Sequence, residues 1–175
     1  MERATKIVEN LLEFARRSPR DLEDIDIHEL LTKTLMLLEK ELQANDVRVV
    51  TDFQPVPKVT LHLDEMKQVF LNIMLNASQA MPEGGQLRIS TRLGRQGGGE
   101  PQVEILFEDT GQGIPEDVLA DIFNPFFTTK EKGVGLGLSL VYSTMERFGG
   151  HIRVDSQVGK GTLVTLRLPP AEGGR

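Results

Sequence analysis

Residues 64–81, DEMKQVFLNIMLNASQAM, decide how the rest of the chain is arranged. The stretch has good helix formers and no internal glycine or proline, so it reads as one helix from Asp64 to Met81. Met66, Val69, Phe70, Ile73, Met74 and Ala77 fill much of its circumference, which predicts a largely buried helix. Two asparagines interrupt the apolar run. Asn72 and Asn76 stand at i and i+4, so they share a face, and Gln68 lies one turn earlier on the same stripe. Burying an amide without a partner costs roughly 1–3 kcal/mol. Something polar is therefore expected to meet this stripe: a metal, a phosphate or another chain segment. The plainer alternative is bonding to nearby backbone.

On both sides of this helix the pattern is strand-like. Upstream, Asp46–Phe53 and Val59–Leu63 are strand candidates, preceded by a helix over His28–Ala44 with Leu30, Leu31, Leu35, Leu38 and Leu42 inward. Glu23–Ile27 alternates as a short strand, and Glu2–Ser18 carries a heptad-like seam of Ala4, Ile7, Leu11 and Phe14, stopped by Pro19. Downstream, strands are expected over Gln86–Leu93, Gln102–Glu108, His151–Asp155 and Thr162–Leu168. Gly94–Glu100 reads as a hairpin loop, Asp109–Leu136 as mostly loop, and Leu136–Phe148 as a helix with Leu138, Val141, Met145 and Phe148 on its apolar face. Hairpin-linked strands thus form one layer and three or so helices the other. Helices and strands do not alternate strictly, which disfavours a doubly wound parallel sheet.

Composition excludes several chemistries. The chain has 175 residues, 20 basic and 26 acidic, for a net charge of -6. That size carries one ordinary core, and the acidic balance argues against non-specific nucleic-acid binding. Without cysteine there is no disulfide, thiolate nucleophile or Cys-based zinc site. His28, His62 and His151 form no metal-binding spacing. No apolar run approaches the ~20 residues of a membrane span, and no signal-peptide core is present. The expectation is a cytoplasmic piece without membrane contact, starting inside a longer protein whose anchor, where there is one, lies before Met1.

Three glycine clusters carry the chemistry. Asp109-Thr110-Gly111-Gln112-Gly113 follows a buried strand and sets a carboxylate at the strand end, placed to accept from a ligand amine or to close an Asx turn. Gly133-Val134-Gly135-Leu136-Gly137-Leu138 opens a helix, where free N–H groups and the dipole favour phosphate. It follows no strand and lacks Gly-Lys-Ser/Thr, so it is neither a Rossmann fingerprint nor a P-loop. Gly159-Lys160-Gly161-Thr162 is a hairpin turn. Between the first two lie Phe123-Asn124-Pro125-Phe126-Phe127, expected as an apolar plug at one end of a lid, and the polar Thr128, Thr129, Lys130 and Lys132.

Taken in order, the Asn-x-x-x-Asn-Ala helix, Asp-x-Gly-x-Gly, Phe-x-Pro-Phe-Phe, Gly-x-Gly-x-Gly and Gly-x-Gly-Thr resemble the catalytic ATP-binding domain of sensor histidine kinases. They also resemble the wider superfamily of gyrase-type topoisomerases, mismatch-repair ATPases and heat-shock chaperone ATPases. Asn-Ala-Ser-Gln-Ala-Met-Pro and Pro-Phe-Phe-Thr-Thr-Lys look most like the nitrogen-regulatory branch, and Leu11–Arg16 looks like the end of the second dimerisation helix. The resemblance implies an α/β (α+β) two-layer sandwich, a mostly antiparallel five-stranded sheet backed by about three helices, with an N-terminal helical stub. It divides the chain into 1–20 (truncated dimerisation domain), 21–170 (catalytic domain) and 171–175 (tail).

The resemblance also assigns roles. ATP and Mg²⁺ are the implied cofactors. Asn76 is the implied Mg²⁺ ligand, and Asn72 assists at the metal or phosphates. Asp109 accepts from the adenine amine, Thr162 supports it through water, and Gly111 and Gly113 let the base approach. Gly133, Gly135 and Gly137 shape the lid over the phosphates, and Lys130 offsets γ-phosphoryl charge. Ile114, Phe123, Thr128, Thr129, Val134, Leu136 and Leu138 complete the nucleotide-binding set. Hydrolytic members often carry Glu where Asn72 stands. An asparagine cannot take a proton from water, so transfer to an external histidine fits better than hydrolysis.

Two departures stand out. No histidine sits in a phosphoacceptor context, and Gln79 stands where many relatives have lysine. The implied activity is protein histidine kinase, with the acceptor histidine on a helical dimerisation domain outside this chain. Implied partners are that domain, a cognate response regulator and, in the full-length protein, a second copy. An ATP-binding scaffold without transfer and an anti-sigma-type serine kinase are the alternatives.

Overall fold

The computed structural model describes residues 22–95, 99–129 and 135–172. Among them the order is β1 (Glu23–Ile25), α1 (Ile27–Ala44), β2 (Val47–Phe53), β3 (Val59–Leu61), α2 (Leu63–Gln79), β4 (Gly85–Arg95), β5 (Pro101–Asp109), α3 (Glu116–Leu119), α4 (Gly137–Arg147), β6 (His151–Gln157) and β7 (Gly161–Leu168). The main sheet has five strands in the order β2-β4-β5-β7-β6. Only β2 and β4 pair in parallel; the other pairs are antiparallel. β1 and β3 form a separate antiparallel ribbon, with Glu23 opposite Leu61. The expected mostly antiparallel two-layer sandwich is therefore what the chain builds.

The central strand positions the site. On β5 every second residue faces the helices, and Val103, Ile105 and Phe107 are fully buried there. The next residue in that alternation is Asp109. Above it α2 buries Met66, Val69, Phe70, Ile73, Met74, Ala77 and Ser78. Phe70 meets Phe107 at 5.8 Å between ring centroids. Each ring contributes roughly 1.5–3 kcal/mol by leaving water.

The opposite sheet face carries an ion-pair cluster. Glu104 accepts from Arg92 Nε and Arg167 Nε, each at 2.7 Å, joining β4, β5 and β7. Burial alone would push the Glu104 carboxyl up, but the two guanidinium groups overcome it and hold the carboxyl below its ordinary range.

Several boundaries differ from expectation. Glu23–Ile27 is not all strand: Asp26 Oδ1 accepts from His28 N at 2.9 Å and Glu29 N at 3.2 Å, so α1 starts at Ile27. Met81 leaves α2, which ends at Gln79. β4 runs on through Gly94 and Arg95 because Glu104 lies over Gly94, where a Cβ would collide with its carboxyl. The 109–136 stretch contains the short helix α3. The expected helix Glu2–Ser18 lies outside the described residues, as does the end of the tail. Among the described residues no helix is long and apolar enough to cross a membrane.

Candidate functional site

Asp109 ends the central strand on the helix-facing side and is 7% exposed. Its Oδ1 accepts from Gly111 N at 2.8 Å and from Thr162 N at 3.3 Å. Both backbone donors thus go to one oxygen, and Oδ2 carries neither. Burial pushes the carboxyl above its ordinary range, against the pull of the two backbone N–H groups. An immobilised carboxylate with one oxygen left over suits recognition of a hydrogen-bond donor.

The loop after Asp109 is docked on the β6–β7 hairpin. Ile114 N donates to Ser156 Oγ at 2.8 Å and Gly159 N to Gln112 O at 2.8 Å. Gly113 has φ +74, and a Cβ there would strike the Gln157 carbonyl. At Gly111 a Cβ would sit 2.6 Å from Ala80 O. Both glycines are demanded by the protein's own packing, independently of any ligand's approach.

Ser156 is the hub that sequence reasoning missed. Its Oγ also meets Gly161 O at 2.9 Å and Thr162 Oγ1 at 2.8 Å. It lies one residue past the expected strand His151–Asp155, which in the structure runs on to Gln157. The signal was its register: Ser156 pairs with Thr162, and Thr162 with Asp109, so all three lie on one sheet face. A cavity of about 340 Å³ opens beside them, lined by Asp109, Ser156, Gly161 and Thr162 together with Glu108, Asp155, Lys160 and Leu163. The last four belong to the outer face and the turn, so this cavity wraps the hairpin end and does not reach α2.

The asparagine stripe is not sunk in the core. Asn72 and Asn76 are half-buried on the flank of α2, as is Gln68. That corrects the expectation that they are buried amides, because the sheet takes only one face of the helix. Their desolvation costs correspondingly less, and the stripe stays accessible to a polar partner. Gln68 Nε2 reaches Asn72 Oδ1 at 3.5 Å, and Asn72 Nδ2 reaches Gly137 O at 3.5 Å. Asn72 therefore touches the first turn of α4.

The lid residues are only partly brought together. Phe126 N donates to Gly135 O at 2.8 Å, and Gly135, at φ +75, passes so close that a Cβ would strike the Phe126 backbone. Gly137 needs no such allowance, since a Cβ there would meet Asn72 at an ordinary 3.8 Å. The expected plug of three aromatics is not buried as a unit: Phe123 packs against Tyr142 at 5.5 Å, Phe127 is half-buried, Phe126 is 64% exposed, and the buried residue here is Ile122. Thr128 and Thr129 are exposed, and Leu136 and Leu138 half-buried. Lys130, Lys132, Gly133 and Val134 lie outside the described residues.

For a cation, the donor set is telling. Among the described residues no group of three His, Asp or Glu is placed to hold a metal ion. Neutral amide oxygens on α2 fit a hard cation only when it arrives with anionic oxygens of its own.

Fold and site together define a two-layer sandwich with a buried carboxylate at the end of its central strand and an amide stripe on the facing helix. The sequence matches the family described as "Histidine kinase-, DNA gyrase B-, and HSP90-like ATPase" over residues 62–172, and the chain belongs to that family. It is 42% identical over 180 residues to the sensor kinase CckA of Brucella abortus (strain 2308), covering 95% of this chain and 19% of that protein. It therefore spans well under half of that kinase's length. Among solved structures, the catalytic domain of histidine kinase ThkA superposes with a TM-score of 0.75 at 26% identity, covering 86% of this chain and 96% of that one. Full-length ShkA in complex with AMPPNP gives a TM-score of 0.82 at 26% identity, covering 97% of this chain and 36% of that one. Within the family, then, the chain is of the sensor histidine kinase catalytic type.

Proposed function

We propose that this chain binds Mg-ATP and transfers the γ-phosphoryl group to a histidine on a helical dimerisation domain. The observation that carries the reading is Asp109: a buried carboxylate with one oxygen saturated by backbone and the other left for a donor such as the adenine amine. The AMPPNP complex of ShkA, a nucleotide complex of a related kinase, supports it.

In this reading Asp109 and Thr162 hold the base, and Gly111, Gly113 and Ile114 form the wall beside it. Asn76 holds Mg²⁺, and Asn72 steadies the phosphates while touching Gly137. Thr128, Thr129, Lys130 and Gly133 to Leu138 are assigned to the phosphates, with Lys130 offsetting γ-phosphoryl charge, and Phe123 anchors the described end of that segment. Bound Mg-ATP supplies the phosphoryl group and the anionic oxygens that neutral amides require. Asn72 has no basic lone pair for a water proton, so the site favours an external nucleophile held in line over hydrolysis. Residues 1–20 belong to the dimerisation domain and 21–170 to the catalytic unit. A response regulator then receives the phosphoryl group, the longer protein is a homodimer, and this catalytic part of it works in the cytoplasm.

The test mixes this chain with ATP labelled at the γ-phosphate and a helical domain carrying an acceptor histidine. Acid-labile label on that domain is expected, lost with Asn76→Ala. Acid-stable label points to a serine kinase, and ATP binding without label points to a scaffold; either result overturns the transfer reading.

A further inference from the structure

We propose that Ser156 fixes the proton direction of the Thr162 hydroxyl, making Thr162 an acceptor towards the ligand and so selecting an amino purine over a 6-oxo purine. The inference rests on the nucleotide reading above and names a specificity residue within it.

A serine hydroxyl has one hydrogen and two acceptor positions. Ser156 Oγ accepts from Ile114 N at 2.8 Å, which uses one acceptor position. Gly161 O, at 2.9 Å, can only accept, so the single Ser156 hydrogen goes there. The contact with Thr162 Oγ1 at 2.8 Å then has one solution: Thr162 donates and Ser156 accepts. Ser156 is saturated. Thr162 has spent its hydrogen and offers only lone pairs.

Beside it, Asp109 also offers only an acceptor at Oδ2. Two acceptors set side by side match the two hydrogens of an exocyclic amine, directly or through a water. They repel a keto oxygen in the same place, because a site built for a donor leaves its own acceptors unmatched against an acceptor. Ser156 itself acts through Thr162 and is a positioning residue.

Ser156→Ala releases the Thr162 hydrogen, which can then turn towards a keto oxygen. It also deprives Ile114 N–H of its acceptor, a cost that weighs on every nucleotide alike and cancels in a ratio.

The experiment measures Kd for Mg-ATP and Mg-ITP on the full chain by calorimetry. The native chain is expected to favour ATP by at least about thirtyfold. Ser156→Ala lowers that ratio by about tenfold, and Ser156→Thr, which keeps the hydroxyl, restores it. Thr162→Val lowers the ratio too, and the double variant lowers it no further, since both act through one hydroxyl pair. A ratio unmoved by Ser156→Ala, with ATP still bound, refutes the proton-direction argument alone. A native chain that binds neither nucleotide refutes the nucleotide reading and this inference with it.

Discussion

Replacing Asp109 by asparagine tests the site at a single atom. In the native chain Oδ1 accepts from Gly111 N at 2.8 Å and Thr162 N at 3.3 Å. The asparagine oxygen must take that position, because a nitrogen there would face two donors. Its amide nitrogen then stands where Oδ2 stood and points hydrogens at the hydrogens of the adenine amine. Losing a charge-assisted hydrogen bond costs about 1.5–3 kcal/mol. Affinity for ATP should therefore fall roughly 10- to 150-fold. Stability should not fall with it: burial already opposes the Asp109 charge, and the neutral amide keeps both backbone bonds. Calorimetric titration with Mg-ATP, run beside urea unfolding of both proteins, separates the two quantities. A Kd within about threefold of native, at an unchanged unfolding midpoint, refutes Asp109 as the group that reads the base.

The same carboxylate predicts a pH dependence. ATP needs Asp109 ionised, so affinity should weaken as pH falls through a value above the ordinary aspartate range, and Asp109→Asn should flatten that limb of the titration. Glu104 is shifted the opposite way, and there the consequence is for stability. Its folded carboxyl is held low by Arg92 and Arg167, so its contribution is present above the unfolded pKa and lost as pH falls through the folded one. Glu104→Ala removes the shared acceptor of two arginines that water still reaches, and should cost about 1–2 kcal/mol in urea unfolding at neutral pH, shrinking in acid. Gly135→Ala forces a side chain into a left-handed backbone and against Phe126, so it should weaken ATP binding while leaving the unfolding midpoint of the sheet domain near native. Asn76→Ala should leave a residual ATP affinity that no longer responds to magnesium, read by titration with and without the cation.

Sequence and structure agree where one periodicity decides the matter. The α2 stretch reads as a helix because its apolar residues repeat at helical spacing over more than four turns. Asp109 was visible because a buried β5 run ends on a carboxylate followed by glycines. What could not be read comes from contacts remote in sequence. The parallel pairing of β2 with β4 and the β1–β3 ribbon leave no local mark on any strand. The half-exposure of Asn72 and Asn76 depends on which flank of α2 the sheet leaves open. Ser156 lies just past the expected strand His151–Asp155, and only the register of β6 on β7 sets it beside Thr162. The start of α1 is a different case, since Asp26 with Glu29 is a local capping signal that was legible and passed over in favour of strand alternation.

The roles proposed for Asp109, Thr162 and the asparagines of α2 all require one bound nucleotide. Titrating the folded chain with ATP, with and without magnesium, addresses that directly. Saturable binding that tightens by about tenfold or more with magnesium is the expected result. A folded chain that gives no saturable heat with ATP in the presence of magnesium would contradict it.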